Sequence, residues 1–82
     1  MDNNKYILKI NEIIEKLEDN HKIKKIENVD QDFYSDLNFD SLSLVELIMY
    51  CEHEFSITFN DDEIHFLKKV NELIKLIEKY KK

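Results

Sequence analysis

Residues 36–55 read DLNFDSLSLVELIMYCEHEF, and this stretch of the chain decides the fold. It predicts a helix from about Ser41 to Phe55, because apolar residues recur on one face at helical spacing. That face consists of Leu44, Leu47, Ile48, Cys51 and Phe55. We expect this face to be buried in the core.

The start of this helix is marked by a polar residue that can cap it. Asp40 is the natural N-cap, because its carboxylate can accept hydrogen bonds from the unpaired N–H groups of the first turn. Ser43, followed three positions later by Glu46, also fits a capping box. The helix could therefore start two residues later than Ser41.

The opposite face of the same helix is unusually apolar. It carries Leu42, Val45, Glu46, Met49 and His53, with Tyr50 at its edge. A helix on the surface of a protein without partners is normally polar on that side. The pattern therefore indicates a surface that a partner covers. The alternative is that part of this set, Val45 in particular, is buried against the loop that precedes the helix.

Two further main helices are predicted, one at each end of the chain. The first begins at a cap provided by Asn3 or Asn4 and runs to about Asp19, with one apolar stripe. The last begins near Lys69 and runs to about Lys81. The two stripes are Tyr6, Ile10, Ile13, Ile14 and Leu17 in the first helix, and Val70, Leu73, Ile74, Ile77 and Tyr80 in the last.

The segments between the main helices are a long loop and a short helix. Residues 19–40 lack sustained helical periodicity, and their isolated apolar residues predict either a short helical turn at 23–29 or a loop that is pinned to the core; the segment is expected to position Ser41. The expected pins are Ile23, Ile26, Val29, Phe33, Tyr34 and Leu37. Asn60 and Glu63 predict a capped short helix to about Leu67, with Ile64 and either Phe66 or Leu67 facing inward.

The predicted fold is therefore all-α: a small four-helix bundle, with three main helices, a short third helix and a long first loop. A chain of 82 residues is short enough to form a single domain over residues 1–82. Its core is expected to be thin, which leaves little room for a deep enzyme pocket.

The charge of the chain is unevenly distributed. The formal net charge is −6, and residues 27–63 contain eleven acidic side chains and no Lys. This acidic middle argues against a nucleic-acid partner and favours a protein with a basic patch, although a solvated acidic surface is the alternative. With Cys51 as the only cysteine and no long apolar run, we expect a cytoplasmic protein without internal disulfide or membrane segment.

Catalytic and metal chemistry find little support in the sequence. Nucleophilic catalysis at Ser41 needs a base, but His53 lies about three turns along the same helix and is out of reach. The acidic run at residues 61–63 lacks the ligand spacing and the Gly of a calcium loop. Cys51, on the core stripe, is best interpreted as a small buried apolar residue. We therefore predict no catalytic residue and no metal site.

Covalent modification of Ser41 is the chemistry that remains. A phosphate ester at the start of a helix faces unpaired N–H groups and the positive end of the helix dipole. The surrounding motifs resemble those of the acyl carrier proteins: D-L-x-x-D-S-L at 36–42, V-E-L at 45–47 and E-x-E-F at 52–55. The resemblance covers essentially the whole chain, because Phe33, Ile57, the acidic run at 61–63 and Val70 also fall at matching positions of the family pattern.

The resemblance implies a carrier rather than an enzyme. Ser41 would receive 4′-phosphopantetheine from coenzyme A through a separate phosphopantetheinyl transferase that needs Mg²⁺. The thiol of this arm would hold an acyl or aminoacyl group as a thioester and carry it between loading and transferring enzymes with basic docking patches. The expected partner-binding residues are Asp40, Leu42, Glu46 and Met49 from the resemblance, with Val45 and Tyr50 added from the outward face. We expect a monomer.

Several positions depart from the family pattern. Asn38 stands where Gly is usual, Phe59 or Asn60 stands where a Pro is common, and Ser43 and His53 replace acidic residues of fatty acid carriers. Asn tolerates the left-handed backbone conformation, so the turn at Asn38 can survive. The pathway is therefore either fatty acid synthesis or a dedicated polyketide, nonribosomal, sugar-modifying or D-alanyl-type route. An unmodified helical adaptor is the alternative from a different functional class.

Overall fold

The computed structural model describes residues 3–17 and 21–81 of the chain. It contains four helices: α1 (Asn3–Ile14), α2 (Ser41–Phe55), α3 (Asp61–His65) and α4 (Val70–Tyr80). Within these two described segments the extended pairing is limited to an isolated antiparallel bridge between Asp32 and Lys69. The predicted all-α architecture, with three main helices, a short third one and a long first loop, is confirmed. None of the described helices has the length and apolar character needed to cross a bilayer.

The first helix is shorter than its apolar stripe suggests. α1 ends at Ile14, and Glu15 N still donates four residues back, to Asn11 O (3.2 Å). The two amides after it bond three residues back: Lys16 N donates to Ile13 O (2.9 Å) and Leu17 N donates to Ile14 O (3.2 Å). Such bonds tighten the last turn of a helix. Leu17 is nevertheless buried, so it continues the stripe without being helical. The predicted end, Asp19, lies outside the described residues, and both predicted caps, Asn3 and Asn4, lie inside the helix.

The core is shared by the three main helices and the long loop. All but one residue of the core stripe predicted for α2 are buried, and Phe55 is half-buried against the same cluster. The loop contributes aromatic side chains, with Phe33 and Phe39 packed edge to face at 5.2 Å between ring centroids. Phe39 had no predicted role, and Tyr34, an expected pin, is instead exposed.

The long loop is fixed at both sides by backbone hydrogen bonds. Phe33 N donates to Lys68 O (2.8 Å) and Val70 N donates to Gln31 O (3.1 Å), so the middle of the loop is bonded to the start of α4. On the other side, the Asn11 side chain of α1 donates to Ile26 O (3.0 Å) and accepts from Ile26 N (2.8 Å). The loop is therefore held across the bundle, as predicted.

The third helix differs from its prediction at both ends. The Asn60 side chain makes no capping hydrogen bond, and the helix ends at His65 rather than at about Leu67. Glu63, the expected capping partner, instead accepts from Lys79 Nζ (2.7 Å) and from the Tyr80 hydroxyl. These bonds tie α3 to the end of α4. Ile64 is partly buried against the core, as predicted, and of the two alternatives beside it Leu67 is buried whereas Phe66 is exposed.

Candidate functional site

Ser41 is the first residue of α2, and its side chain is exposed. The residue before it, Asp40, has extended backbone angles (φ −112°, ψ 179°) and is the N-cap. Its Oδ1 accepts from Ser43 N (2.8 Å), and Ser43 Oγ accepts from Asp40 N (2.9 Å). Two donors at the helix start are thus satisfied reciprocally. The predicted cap is confirmed, and the alternative start two residues later is wrong, because Ser43 closes this capping box.

The two serines near the helix start have different environments. Ser43 is buried, and its hydroxyl is engaged with Asp40. Ser41 lies outside this network, and the amide N–H groups of Ser41 and Leu42 donate no hydrogen bond to a residue in the described part of the chain. An exposed hydroxyl beside unpaired amides at a helix N-terminus is a good environment for an anionic phosphate ester. The residues present therefore fit a phosphodiester on Ser41.

The carboxylate of Asp40 carries the main electrostatic feature of the site. Its pKa is lowered to about 2, chiefly by the hydrogen bond from the Ser43 amide, then by the Ser43 hydroxyl and by Lys22. Lys22 Nζ lies 3.2 Å from Asp40 Oδ2. The sequence offered no signal for Lys22, because it precedes Asp40 by eighteen positions in an irregular segment. Asp40 is thus ionised and paired with a cation at neutral pH.

A left-handed residue before α2 brings Lys22 and the helix start together. Asn38 has φ 64°, which confirms that Asn supports the turn where Gly is usual. Its Nδ2 donates to Lys22 O (3.3 Å), and Lys24 N donates to Leu37 O (3.0 Å). The segment around Lys22 is therefore bonded to the residues that lead into the helix.

The outward face of α2 is as apolar as the sequence predicted. Leu42 is 75% exposed, Met49 62%, Val45 48% and Tyr50 38%, while Glu46 is half-buried. The alternative that Val45 is buried against the loop is therefore wrong, because the apolar side chains of the loop pack into the common core. We call Leu42, Val45, Glu46, Met49 and Tyr50 the outward face; with Asp40 they are the predicted partner-binding residues.

A shallow cavity lies on this outward face. It has a volume of about 400 Å³ and is lined by Glu46, Met49, Tyr50 and His53. Its lining combines apolar side chains with one carboxylate, a composition that suits contact with another protein. That contact stays a prediction for each of the partner-binding residues.

The cysteine and the possible metal ligands considered in the sequence are not arranged for reactive chemistry in the residues that the structure describes. Cys51 is fully buried, and desolvation raises the pKa of its thiol to about 12. This confirms it as a small buried apolar residue, because a neutral thiol is a poor nucleophile. In the described segments, no group of three or more His, Cys, Asp or Glu side chains is placed to hold a metal ion.

Comparison with known proteins identifies the family. The family model described as "Phosphopantetheine attachment site" matches residues 9–77. The acyl carrier protein of Solidesulfovibrio magneticus is 44% identical over 54 residues, which cover 66% of this chain and 69% of that protein. The acyl carrier protein of Rickettsia bellii is 43% identical over 60 residues, 71% of this chain and 70% of that one.

The fold comparison agrees with these sequence matches. The crystal structure of an acyl carrier protein from Thermotoga maritima superposes with a TM-score of 0.83 at 30% identity, covering 98% of this chain and 91% of that one. Proteins of this family bear a covalent phosphopantetheine group and are carriers rather than catalysts, working with a phosphopantetheinyl transferase and acyl-handling enzymes. The chain, with its matching motif, helices and exposed serine, belongs to the acyl carrier proteins.

Proposed function

We propose that Ser41 is the residue that bears 4′-phosphopantetheine, and that the protein shuttles thioester-bound acyl intermediates between biosynthetic enzymes. The observation that carries the proposal is the contrast between two neighbouring hydroxyls. Ser41 is exposed at the first position of α2, whereas Ser43 is buried and engaged in the capping box. When attached, the group supplies a thiol on which acyl chains are held as thioesters.

The attachment reaction asks little of the carrier itself. In the transferase, Ser41 Oγ forms a bond to the phosphorus next to the pantetheine of coenzyme A, and the pyrophosphate P–O bond breaks. The hydroxyl proton is lost, and adenosine 3′,5′-bisphosphate leaves. The chain contributes an exposed hydroxyl, held at the start of α2 by the Asp40–Ser43 capping box. The positive end of the α2 dipole, at the same helix end, favours the anionic product.

The pathway is either fatty acid synthesis or a dedicated route. The predicted docking residues supply acidic contacts at Asp40 and Glu46, which suit basic patches on partner enzymes. Around them, however, the outward face is largely apolar, and Tyr50 and His53 line its cavity. This composition supports a dedicated polyketide, aminoacyl, peptidyl or D-alanyl-type carrier as the second candidate.

Attachment is tested by incubating the protein with coenzyme A, Mg²⁺ and a promiscuous phosphopantetheinyl transferase, followed by mass spectrometry. We expect a single phosphopantetheine added to the wild type and to Ser35→Ala, which alters another exposed serine. Ser41→Ala should stay unmodified. A wild type that is folded by circular dichroism and gains no mass would contradict the proposal, as would modification of Ser41→Ala.

The same variant separates the carrier from the adaptor hypothesis. If the protein acts as an unmodified helical adaptor, Ser41→Ala retains its effect on pathway activity, whereas substitution of Met49 on the outward face abolishes it. If it acts as a carrier, both substitutions abolish product formation. Loading of the thiol by a malonyl transferase or by an amino-acid-adenylating enzyme, followed by mass spectrometry, then distinguishes the two pathway classes.

A further inference from the structure

We propose that Lys22 is a positioning residue of the carrier site, whose ammonium group offsets the repulsion between the Asp40 carboxylate and an anionic phosphodiester on Ser41. The inference rests on the proposed attachment at Ser41. It concerns a residue from the long loop that lies outside the motif surrounding the serine. It also assigns a function to an ion pair that would otherwise be an ordinary surface contact.

Contacts of Lys22 and of its neighbour Lys24 with described residues hold this segment beside the start of α2. Its Nζ lies 3.2 Å from Asp40 Oδ2, and its carbonyl accepts from Asn38 Nδ2 at 3.3 Å. Two residues further on, Lys24 N donates to Leu37 O at 3.0 Å. The Asn38 contact depends on the amide side chain, which a Gly at this position lacks. The backbone of the segment is therefore held beside α2 independently of the ion pair.

The charge at the site changes when Ser41 is modified. Before modification, the Asp40 carboxylate lies at the helix start as an anion, and the hydrogen bonds from Ser43 keep it ionised. Modification places a second anion on the adjacent residue, and consecutive Cα atoms are only about 3.8 Å apart. Charged groups on adjacent side chains lie within roughly one Debye length, about 8 Å at physiological ionic strength, so salt does not screen the repulsion fully. Lys22 is the cation placed to offset it.

The side chains of this pair are partly solvated, which sets the scale of the effect. The side chain of Lys22 is 46% exposed and that of Asp40 is 54% exposed. An exposed ion pair has a small effect on stability by itself. The informative quantity is the difference between the effect of the ion pair on stability before and after modification of Ser41. A double-mutant cycle isolates this difference. One arm of the cycle is Lys22→Met, and the other is attachment of phosphopantetheine.

The experiment measures the melting temperature of apo and holo forms of the wild type and of Lys22→Met. We expect modification to lower the melting temperature of Lys22→Met by on the order of 2–4 °C more than that of the wild type. The difference should shrink in 1 M salt, where the Debye length is about 3 Å. Lys22→Arg should behave as the wild type does. Lys24→Met, which removes an exposed lysine from the same segment, is the matched control and should show no such difference.

A second measurement reports on the phosphodiester directly. The ³¹P resonance of the holo protein should shift in Lys22→Met and stay in place in Lys24→Met. If Lys22 only supports the fold, Lys22→Met lowers the stability of the apo and holo forms equally and leaves the ³¹P resonance in place. This result overturns the inference. A wild type that gains no phosphopantetheine at Ser41 refutes the proposed function and the inference together. If the protein is modified but modification changes the melting temperature of the wild type and of Lys22→Met equally, the inference alone is refuted.

Discussion

The side chain of Asn11 connects α1 to the long loop through two hydrogen bonds to one residue. Its Oδ1 accepts from Ile26 N at 2.8 Å, and its Nδ2 donates to Ile26 O at 3.0 Å. Ile26 is buried, and Asn11 is half-buried. Asn11→Ala removes both bonds and leaves two backbone groups of Ile26 without their partner. The free energy of unfolding should fall as a result.

The size of this loss follows from the two bonds. A hydrogen bond of this kind contributes about 1 kcal/mol net, and an unsatisfied buried group adds to the cost. Because the site is only partly buried, water can replace part of the lost bonding. We therefore expect a loss of about 2–3 kcal/mol. The total stability of a chain of this size is only about 4–12 kcal/mol, so the loss should be obvious in a urea titration followed by circular dichroism.

A second substitution at the same position tests the geometry. Asn11→Asp keeps the acceptor for Ile26 N but places a carboxylate oxygen against Ile26 O. Partial burial and this repulsion raise the pKa of the new carboxyl in the folded state. A group with a raised folded pKa stabilises the fold below its unfolded pKa of about 3.9, and this contribution is lost as the pH rises through the folded pKa. Asn11→Asp should therefore be destabilised at pH 7 and approach the wild type near pH 4.

The control for both variants is Glu12→Ala. Glu12 is the next residue of α1 and is exposed, so its loss should change the free energy of unfolding by no more than about 0.5 kcal/mol. If Asn11→Ala is no more costly than Glu12→Ala, the Asn11–Ile26 contact does not hold the loop. A loss for Asn11→Asp that is the same at every pH would refute the proposed arrangement of donor and acceptor.

Two further predictions concern the helix that carries the site. The pKa of Asp40 is lowered from 3.8 to about 2, so its carboxylate stabilises the fold above pH 3.8, and this contribution is lost as the pH falls to about 2. Asp40→Asn should flatten that part of the curve of unfolding free energy against pH, and an unchanged slope would count against the capping role. Leu47→Ala should lower the free energy of unfolding by about 2–5 kcal/mol, because Leu47 is fully buried. Leu42→Ala, at a position that is 75% exposed, should change it by about 0.5 kcal/mol or less in the same urea titration, and equal losses for the two would contradict their opposite placement on α2.

The features that sequence predicted well depend on residues close together in the chain. The core face of α2 follows from a regular spacing, and the cap at Asp40 bonds only three positions ahead, to Ser43. The exposed serine follows from its place at the start of that helix. Its surrounding motif, over residues 36–55, was also sufficient to suggest the family that the comparisons confirm.

Periodicity and capping preferences were less reliable at the ends of the other helices. The buried Leu17 extended the stripe of α1 beyond its helical hydrogen bonds, because a residue can face the core from a turn as well as from a helix. Asn60 precedes α3 as a cap should, but Glu63 bonds to the end of α4 instead. For Glu63, a contact with a distant element, which no local pattern encodes, replaced the expected capping bond.

The sequence by itself determined the number and order of the helices, the cap at Asp40 and the apolar outward face of α2, because each depends on side chains within a few positions of one another. Only the tertiary structure decided the path of the long loop. That path brings Asn11 to Ile26 across fifteen positions and Lys22 to Asp40 across eighteen. Contacts at such separations leave no periodic signal, since they depend on how the loop packs onto the finished core. The pairing of the Asp40 carboxylate with Lys22 is therefore a property of the fold rather than of the motif.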